Sequence, residues 1–107
     1  MNHISCEELK SKFDLEESFK LVNALEEAKF RAMHIPGSIN ICNEDDIQKC
    51  LSLDDVVIIY CSDESCNRSI VLYQRLDAFG YEKIYRFAGG LRAWEAAGHE
   101  LTGEMVA

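Results

Sequence analysis

The sequence predicts an α/β fold with a central, mostly parallel sheet flanked by helices on both faces. Strand-length apolar segments alternate with segments rich in helix formers along most of the 107 residues. One strand, residues 56–60 (VVIIY), is unbroken and β-branched, which is typical of a strand covered on both faces in the middle of a parallel sheet. A chain of this length has room for one hydrophobic core, so we expect a single domain over residues 1–107.

The first half of the sequence predicts three helices and two strands. Ser5 and Glu8 match a capping box at the start of the first helix. Pro36-Gly37 ends the second helix, because proline lacks the N–H and glycine permits a turn. Asn43 is the predicted N-cap of the third helix. The predicted elements are a helix to about residue 12, a strand at 19–24, a helix at 25–31, a strand at 38–41 and a helix at 44–51.

The second half continues the alternation after the central strand. Apolar residues at helical spacings predict a helix over 68–79, and Gly80 stands where a left-handed C-cap belongs. A last strand at 83–87 and a Gly-Gly turn precede a helix over 91–97, which Gly98 closes. We expect the tail, residues 101–107, to fray.

The charge of the chain excludes several classes of partner. Its 19 acidic residues outnumber its 11 basic ones, giving a net charge of −8 that repels nucleic acid and anionic lipid. No apolar run approaches the roughly 20 residues that a membrane helix needs, and the first residues are polar rather than signal-like. The sequence therefore predicts a cytoplasmic protein that binds neither nucleic acid nor membrane.

The five cysteines do not form a disulfide framework or a zinc site. Their number is odd and their spacing is irregular, and a reducing cytoplasm would keep most of them as thiols. Only Cys61 and Cys66 lie close together, so the paired ligands of a structural zinc site are missing. Cys6, Cys42 and Cys50 are interpreted as small buried apolar groups. We predict no metal and no other cofactor.

Cys61, directly after the central strand, is the candidate nucleophile. Ligands of open α/β sheets bind at the carboxyl ends of the strands, and a thiol before a helix N-terminus is favoured as thiolate by the free N–H groups there. The same N–H groups would cradle an anion such as a persulfide, a thiosulfate or a phosphate oxygen. The alternative is that Cys61 is only a small buried hydrophobe. The predicted substrate-binding loop that follows it consists of Ser62, Asp63, Glu64, Ser65, Cys66, Asn67 and Arg68.

Short motifs along nearly the whole chain resemble one family. They are Ile4-Ser5-x-Glu7-Glu8-Leu9, Glu27-x-x-Phe30, His34-Ile35-Pro36-Gly37-Ser38-Ile39-Asn40, Tyr60-Cys61 with Asn67-Arg68-Ser69, Gly80-Tyr81, and Gly89-Gly90 with Ala93-Trp94-x-x-Ala97-Gly98. With these motifs the chain resembles a single-domain rhodanese. The resemblance implies a rhodanese-like fold and a sulfurtransferase. Its cysteine, Cys61 by position, takes sulfane sulfur as a persulfide from a small donor, such as thiosulfate, or a persulfidated protein. It then passes the sulfur to a thiol or other thiophilic acceptor.

The loop departs from the family pattern Cys-x-x-Gly-x-Arg. From Cys61 to Arg68, which would supply the nearest fixed cation, it has two additional residues and no glycine. Its size leaves phosphatase or arsenate reductase chemistry open. The carboxylates of Asp63 and Glu64 oppose a dianion, so free thiosulfate should bind poorly unless both carboxylates point to solvent. A neutral or cationic donor, or a basic protein partner, fits better.

The second cysteine of the loop adds alternatives. Cys66 is a candidate resolving thiol that could close a disulfide with Cys61, which would make the pair a redox couple, or it could itself be the nucleophile. Residues 23–25 (NAL) replace the family's Asp-x-Arg, an ion pair that helps to fix the loop. The replacement indicates weaker loop support, or an apolar substitute with Leu25 in the core. A non-catalytic interaction module is therefore a further alternative.

The other conspicuous side chains have structural interpretations. His34 opens the Pro-Gly turn and is interpreted as a hydrogen-bonded structural residue rather than a base, since no Ser/His/Asp order surrounds it. The aromatic and apolar residues of the last strand and helix are predicted to lie in the core: Tyr85, Phe87, Leu91 and Trp94.

Overall fold

Four short strands form one sheet in which every neighbouring pair is parallel. The structure, a computed structural model, describes residues 1–106. The sheet order is β2-β1-β3-β4, so the apolar strand predicted to be central lies between two neighbours. The predicted α/β class and the parallel sheet are confirmed. The strands are β1 (Lys20–Asn23), β2 (Ile39–Asn40), β3 (Val57–Tyr60) and β4 (Ile84–Phe87).

Helices cover both faces of the sheet, as predicted. On one face, alternate strand residues such as Val22 and Ile59 pack with Ile47 and Leu76 of two helices. On the other face, a second apolar cluster forms around Trp94. Because β3 contributes to both clusters, all four of its residues are buried. The helices are α1 (Cys6–Asp14), α2 (Glu27–Ala32), α3 (Asp45–Cys50), α4 (Arg68–Ala78) and α5 (Gly90–Ala96).

Of the two predicted helix N-caps, the cap of α1 is confirmed and the cap of α3 is wrong. The capping box of α1 is confirmed, since Ser5 Oγ accepts from Glu8 N at 3.0 Å and Glu8 Oε1 accepts from Ser5 N at 3.0 Å. The prediction that Asn43 caps α3 is wrong, because the N-cap is Glu44 and makes no side-chain capping bond. The carbonyl of Asn43 accepts from Asp46 N instead, so residues 43–46 form a turn ahead of the helix.

Both ends of the described chain are hydrogen-bonded to the body of the fold. Near the start, Ile4 N donates to Arg86 O at 3.0 Å, which places the first residues against the outer edge of β4. The tail, expected to fray, pairs Thr102 with His34 and continues to Met105, whose N–H donates to Ala32 O. Ala107 lies outside the described residues. None of the helices described here is long and apolar enough to cross a membrane.

The cysteines outside the loop are less buried than predicted. Cys42 and Cys50 are exposed and Cys6 is half-buried, so the interpretation as buried apolar groups is wrong. Ile47 of α3 and Leu51, its C-cap residue, take the core positions, which leaves Cys50 outside. Phe87 and Trp94 are buried as predicted. Tyr85 and Leu91 are half-buried and pack against the same apolar cluster.

Candidate active site

Cys61 lies at the carboxyl end of β3 and its surroundings fix it there. Only 1% of it is exposed. The first turn of α5 holds its backbone, since Leu91 N donates to Cys61 O and Arg92 N donates to Ser62 O, both at 3.0 Å. Gly90 makes this approach possible: its φ is +59°, and a Cβ there would overlap Cys61 O. The backbone of the candidate nucleophile is thus held in place by α5.

The two additional residues of the loop form an outward turn. Asp63 Oδ1 accepts from Ser65 N at 3.0 Å and from Ser65 Oγ at 2.6 Å, and Cys66 N donates to Asp63 O at 3.2 Å. The chain then returns to the sheet, and the Cys61 thiol donates to Cys66 O at 3.6 Å. The loop therefore brings its two cysteines together.

The pKa values of the two thiols are shifted in opposite directions by their surroundings. Burial raises the pKa of Cys61, and the neighbouring Cys66 raises it further, against an opposing effect of Ser69. Burial also acts to raise the pKa of Cys66, but hydrogen bonds from Cys61, from Arg68 N and from Ser62 outweigh it, so the pKa of Cys66 is lowered. Burial has less effect on Cys66 because it is only half-buried. N–H groups at the start of α4 favour thiolate on both cysteines, from Ser69 on Cys61 and from Arg68 on Cys66, but only the pKa of Cys66 is lowered overall.

Two residues behind Cys61 were missed by sequence reasoning. Ser69, in the first turn of α4, acts through its hydroxyl and its N–H to lower the pKa of Cys61. Arg86 on β4 in turn donates from Nε to Ser69 Oγ at 2.8 Å. Both are buried. The signal was present in the alternation of β4, where Ile84 and Arg86 share a face, so an apolar contact at one position puts the other inside.

Arg68 does not point at the thiols. Its Nε donates to Ala24 O at 2.7 Å, which ties the start of α4 to the end of β1. It also lines a cavity of about 350 Å³ at the carboxyl edge of the sheet, together with the exposed Cys42 and with Arg75. The expectation that Arg68 supplies the cation nearest to the sulfur is therefore replaced by this backbone contact.

Polar backbone contacts stand where the family has its Asp-x-Arg pair. Asn23 Oδ1 accepts from Leu25 N at 2.9 Å, and Asn40 Nδ2 donates to Asn23 O and Leu25 O at 3.1 and 2.8 Å. Leu25 is 4% exposed and packs in the apolar cluster, in accord with the apolar alternative. The carboxyl end of β1 is thus held by side-chain amides rather than by an ion pair.

The Pro-Gly turn is attached to the central strand. Tyr60 Oη accepts from Ile35 N at 3.0 Å and shares a 2.8 Å hydrogen bond with Ser38 Oγ. His34 Nδ1 lies 2.7 Å from Phe30 O, and its ring stacks on Phe30 with centroids 4.0 Å apart. These contacts agree with a structural interpretation of His34.

The loop carboxylates lie on the side that faces α5. Asp63 and Glu64 line a shallow pocket with Arg92, and the pKa of Asp63 is lowered chiefly by hydrogen bonds from Ser65 and to a smaller extent by the Arg92 charge. Glu64 is exposed. Their charge is thus compensated or solvated.

Comparison with protein families identifies the fold built around this loop. The profile of the rhodanese-like domain matches residues 5–97, which include every element described above. The chain belongs to the rhodanese-like domain family. Comparison with curated proteins finds no match.

Several solved structures superpose closely on this one. A protein from Bacillus halodurans has a TM-score of 0.88 at 24% identity, over 97% of this chain and 78% of its own. A rhodanese-like domain protein from Staphylococcus aureus has a TM-score of 0.76 at 25% identity, over 97% of this chain and 99% of its own. A thiosulfate sulfurtransferase from Pseudomonas aeruginosa has a TM-score of 0.82 at 21% identity, over 96% of this chain and 20% of its own. These likenesses establish the rhodanese fold.

Proposed function

We propose that this domain is a sulfurtransferase that carries sulfane sulfur as a persulfide on Cys61. The donor is of the thiosulfate or persulfide type, and the acceptor is a thiol or another thiophile. The observation that carries the proposal is that the Cys61 thiol donates to the backbone carbonyl of Cys66 at 3.6 Å, which brings two cysteines together at the end of the central strand of a rhodanese-like domain. A covalent relay of this kind splits one difficult transfer into two easier ones.

Exposure and thiolate character support an order for the two thiols. A donor meets Cys66 first, because it is half-buried and favoured as thiolate, whereas Cys61 is 1% exposed. The Cys66 thiolate attacks the sulfane sulfur and releases the rest of the donor, sulfite from thiosulfate or a thiol from a persulfide. Cys61 then attacks the outer sulfur of the Cys66 persulfide and gives its proton to the departing Cys66 sulfur. The result is a persulfide anion on Cys61 and a thiol on Cys66.

Sulfur uptake tests this proposal directly. The reduced chain is treated with thiosulfate or with glutathione persulfide, and the gain of one sulfur is followed by intact mass and mapped by fragment mass. The expected result is an adduct at Cys61 in the wild-type chain and none at position 61 in Cys61→Ser. Cys50→Ser, which removes an exposed thiol of α3, is the control and should load like the wild type. If neither donor leaves an adduct on the wild-type loop, the proposal fails and a non-catalytic binding module is the better interpretation.

A separate variant tests the order in which Cys66 and Cys61 take up sulfur. Cys66→Ser should load Cys61 about tenfold more slowly, because the half-buried thiolate that meets the donor first is lost. Cys61→Ser should still take sulfur, but on Cys66. Loading of Cys61 at the wild-type rate in Cys66→Ser would contradict the order while leaving sulfur transfer intact.

The contact between Cys61 and the Cys66 carbonyl also favours a second candidate function, a redox couple. The Cys66 thiolate can attack the inner sulfur of the Cys61 persulfide, which forms a Cys61–Cys66 disulfide and releases hydrosulfide. The measurable products are sulfide in solution and a chain that is two protons lighter than the reduced form. Regeneration requires a thiol reductant. A loaded chain that keeps its persulfide without releasing sulfide would exclude this role.

A further inference from the structure

Arg86 is a buried cation that has no acidic partner. Its exposed fraction is 6%, and its Nη2 makes no hydrogen bond. Among residues 1–106, the ion pairs of the structure involve other basic side chains. A guanidinium stays charged, and burying a charge without a counter-charge is unfavourable. The fold therefore keeps a costly positive charge behind the two-cysteine loop.

Ser69 connects this charge to the reactive sulfur. Because Arg86 Nε donates to Ser69 Oγ at 2.8 Å, the serine oxygen is occupied as an acceptor and its own hydrogen is left for another acceptor. Ser69 is also one of the groups that lower the pKa of Cys61. Ser69 is 1% exposed, so water does not compete for the bond from Arg86. The backbone of Arg86 is held separately, by Asn2 O and Ile4 N at 2.8 and 3.0 Å. The side chain is thus free of any role in holding the strand edge.

We propose that Arg86 is a positioning residue of this site, which fixes the Ser69 hydroxyl as a donor to the Cys61 sulfur. The proposal rests on the proposed function, in which that sulfur becomes a persulfide anion. A hydroxyl held as a donor stabilises an anionic sulfur more than it stabilises a neutral thiol. The device would therefore favour the loaded form over the empty one.

The other charged groups of the site lie elsewhere. Cys61 is faced by Cys66 from the loop and by Ser69 from α4. Arg68 is turned to the Ala24 carbonyl at the end of β1. The loop carboxylates lie with Arg92 on the side of α5. With Cys66 replaced, Cys61 is the titrating group that Ser69 influences.

The test uses the full chain with Cys61 as its sole cysteine and the others replaced by serine. The rate of Cys61 alkylation by iodoacetamide is measured across the pH range in which the thiol titrates. Arg86→Met should shift the profile upward by about one pKa unit, an approximately tenfold lower rate at neutral pH. Ser69→Ala should give the same shift, and the double variant no further one, because the two residues act in series. Arg86→Lys, which keeps the charge, should recover part of the rate.

Stability separates this role from a structural one. Arg86→Met removes an unpaired buried charge, so its melting temperature should equal or exceed that of the parent chain. Arg31→Met, on the exposed side of α2, is the matched arginine control and should leave the profile unchanged. A profile of Arg86→Met that overlies the control overturns the proposal, as does an additive shift in the double variant. If Arg86→Met does not fold, an unshifted Ser69→Ala overturns it instead. Alkylation needs no sulfur donor, so failed sulfur uptake and a failed Arg86 role give different results.

Discussion

Gly90→Ala is expected to displace the backbone on which Cys61 stands. Gly90 begins α5 with a φ of +59°, and its missing side chain lets the helix touch the loop. An added Cβ would overlap Cys61 O and lie 2.9 Å from the carbonyl carbon of Ser62. These are backbone atoms, so they cannot rotate aside as a flexible side chain could. The loop or the helix has to move.

A second glycine, just after α5, serves as the reference for the loss of stability. Gly98, after the end of α5, has a φ of +81° with nothing within 4 Å of its added Cβ. The left-handed backbone destabilises both alanine variants by about 1–2 kcal/mol. Overpacking destabilises Gly90→Ala by about 1–3 kcal/mol more. The expected difference between the variants is about 2 kcal/mol, which for a domain of this size is roughly 10 °C in melting temperature.

Urea denaturation measures the comparison, with unfolding midpoints compared at a shared slope. Sulfur uptake is measured in parallel below the midpoint, where Gly90→Ala should load slowly although folded. Gly98→Ala should load at the wild-type rate. Equal midpoints for the two variants would refute the reasoning, because they would show that α5 and the loop do not press on one another.

Two further predictions concern the loop itself. As pH rises, Cys66 should become reactive towards iodoacetamide before Cys61, because hydrogen bonds lower the pKa of Cys66 and burial raises the pKa of Cys61. Fragment mass shows which cysteine is alkylated first. Alkylation of Cys61 before Cys66 would contradict the assignment. Replacing Asp63 and Glu64 by their amides should speed loading by thiosulfate about threefold at low ionic strength, with the gain lost in high salt. A gain that persists in high salt would show that the effect is not electrostatic.

The fold was predictable because its signals are local and agree with one another. The β-branched run of the central strand, the capping box at Ser5 and the glycine after α4 each have a short-range physical cause. Each of these is confirmed, since β3 is buried at every residue, the capping bonds are formed and Gly80 has a φ of +95°. Alternation of strands and helices then leaves few arrangements other than a parallel sheet.

Features that depend on distant parts of the chain were harder to predict. Asn43 has the chemistry of a cap, but the turn that ends in α3 uses its carbonyl instead. The pKa values of the two thiols depend on which of them the folded loop buries, and sequence spacing alone does not say. Arg86 is the clearest case: strand periodicity gives its face, but its partner Ser69 comes from another element.

The additional length of the loop is taken up by a turn. The Asp63 side chain closes the segment to Ser65 into a turn of its own, and that turn lies on the α5 side of the loop. Cys61 directly follows β3, and Ser69 lies in the first turn of α4, so regular elements hold both ends of the loop. The longer loop brings the Cys66 carbonyl to the Cys61 thiol, and with it a second cysteine to the site. Two neighbouring cysteines can pass sulfur between them, a step for which phosphate-ester hydrolysis has no use. The pair therefore favours sulfur exchange over the phosphatase alternative.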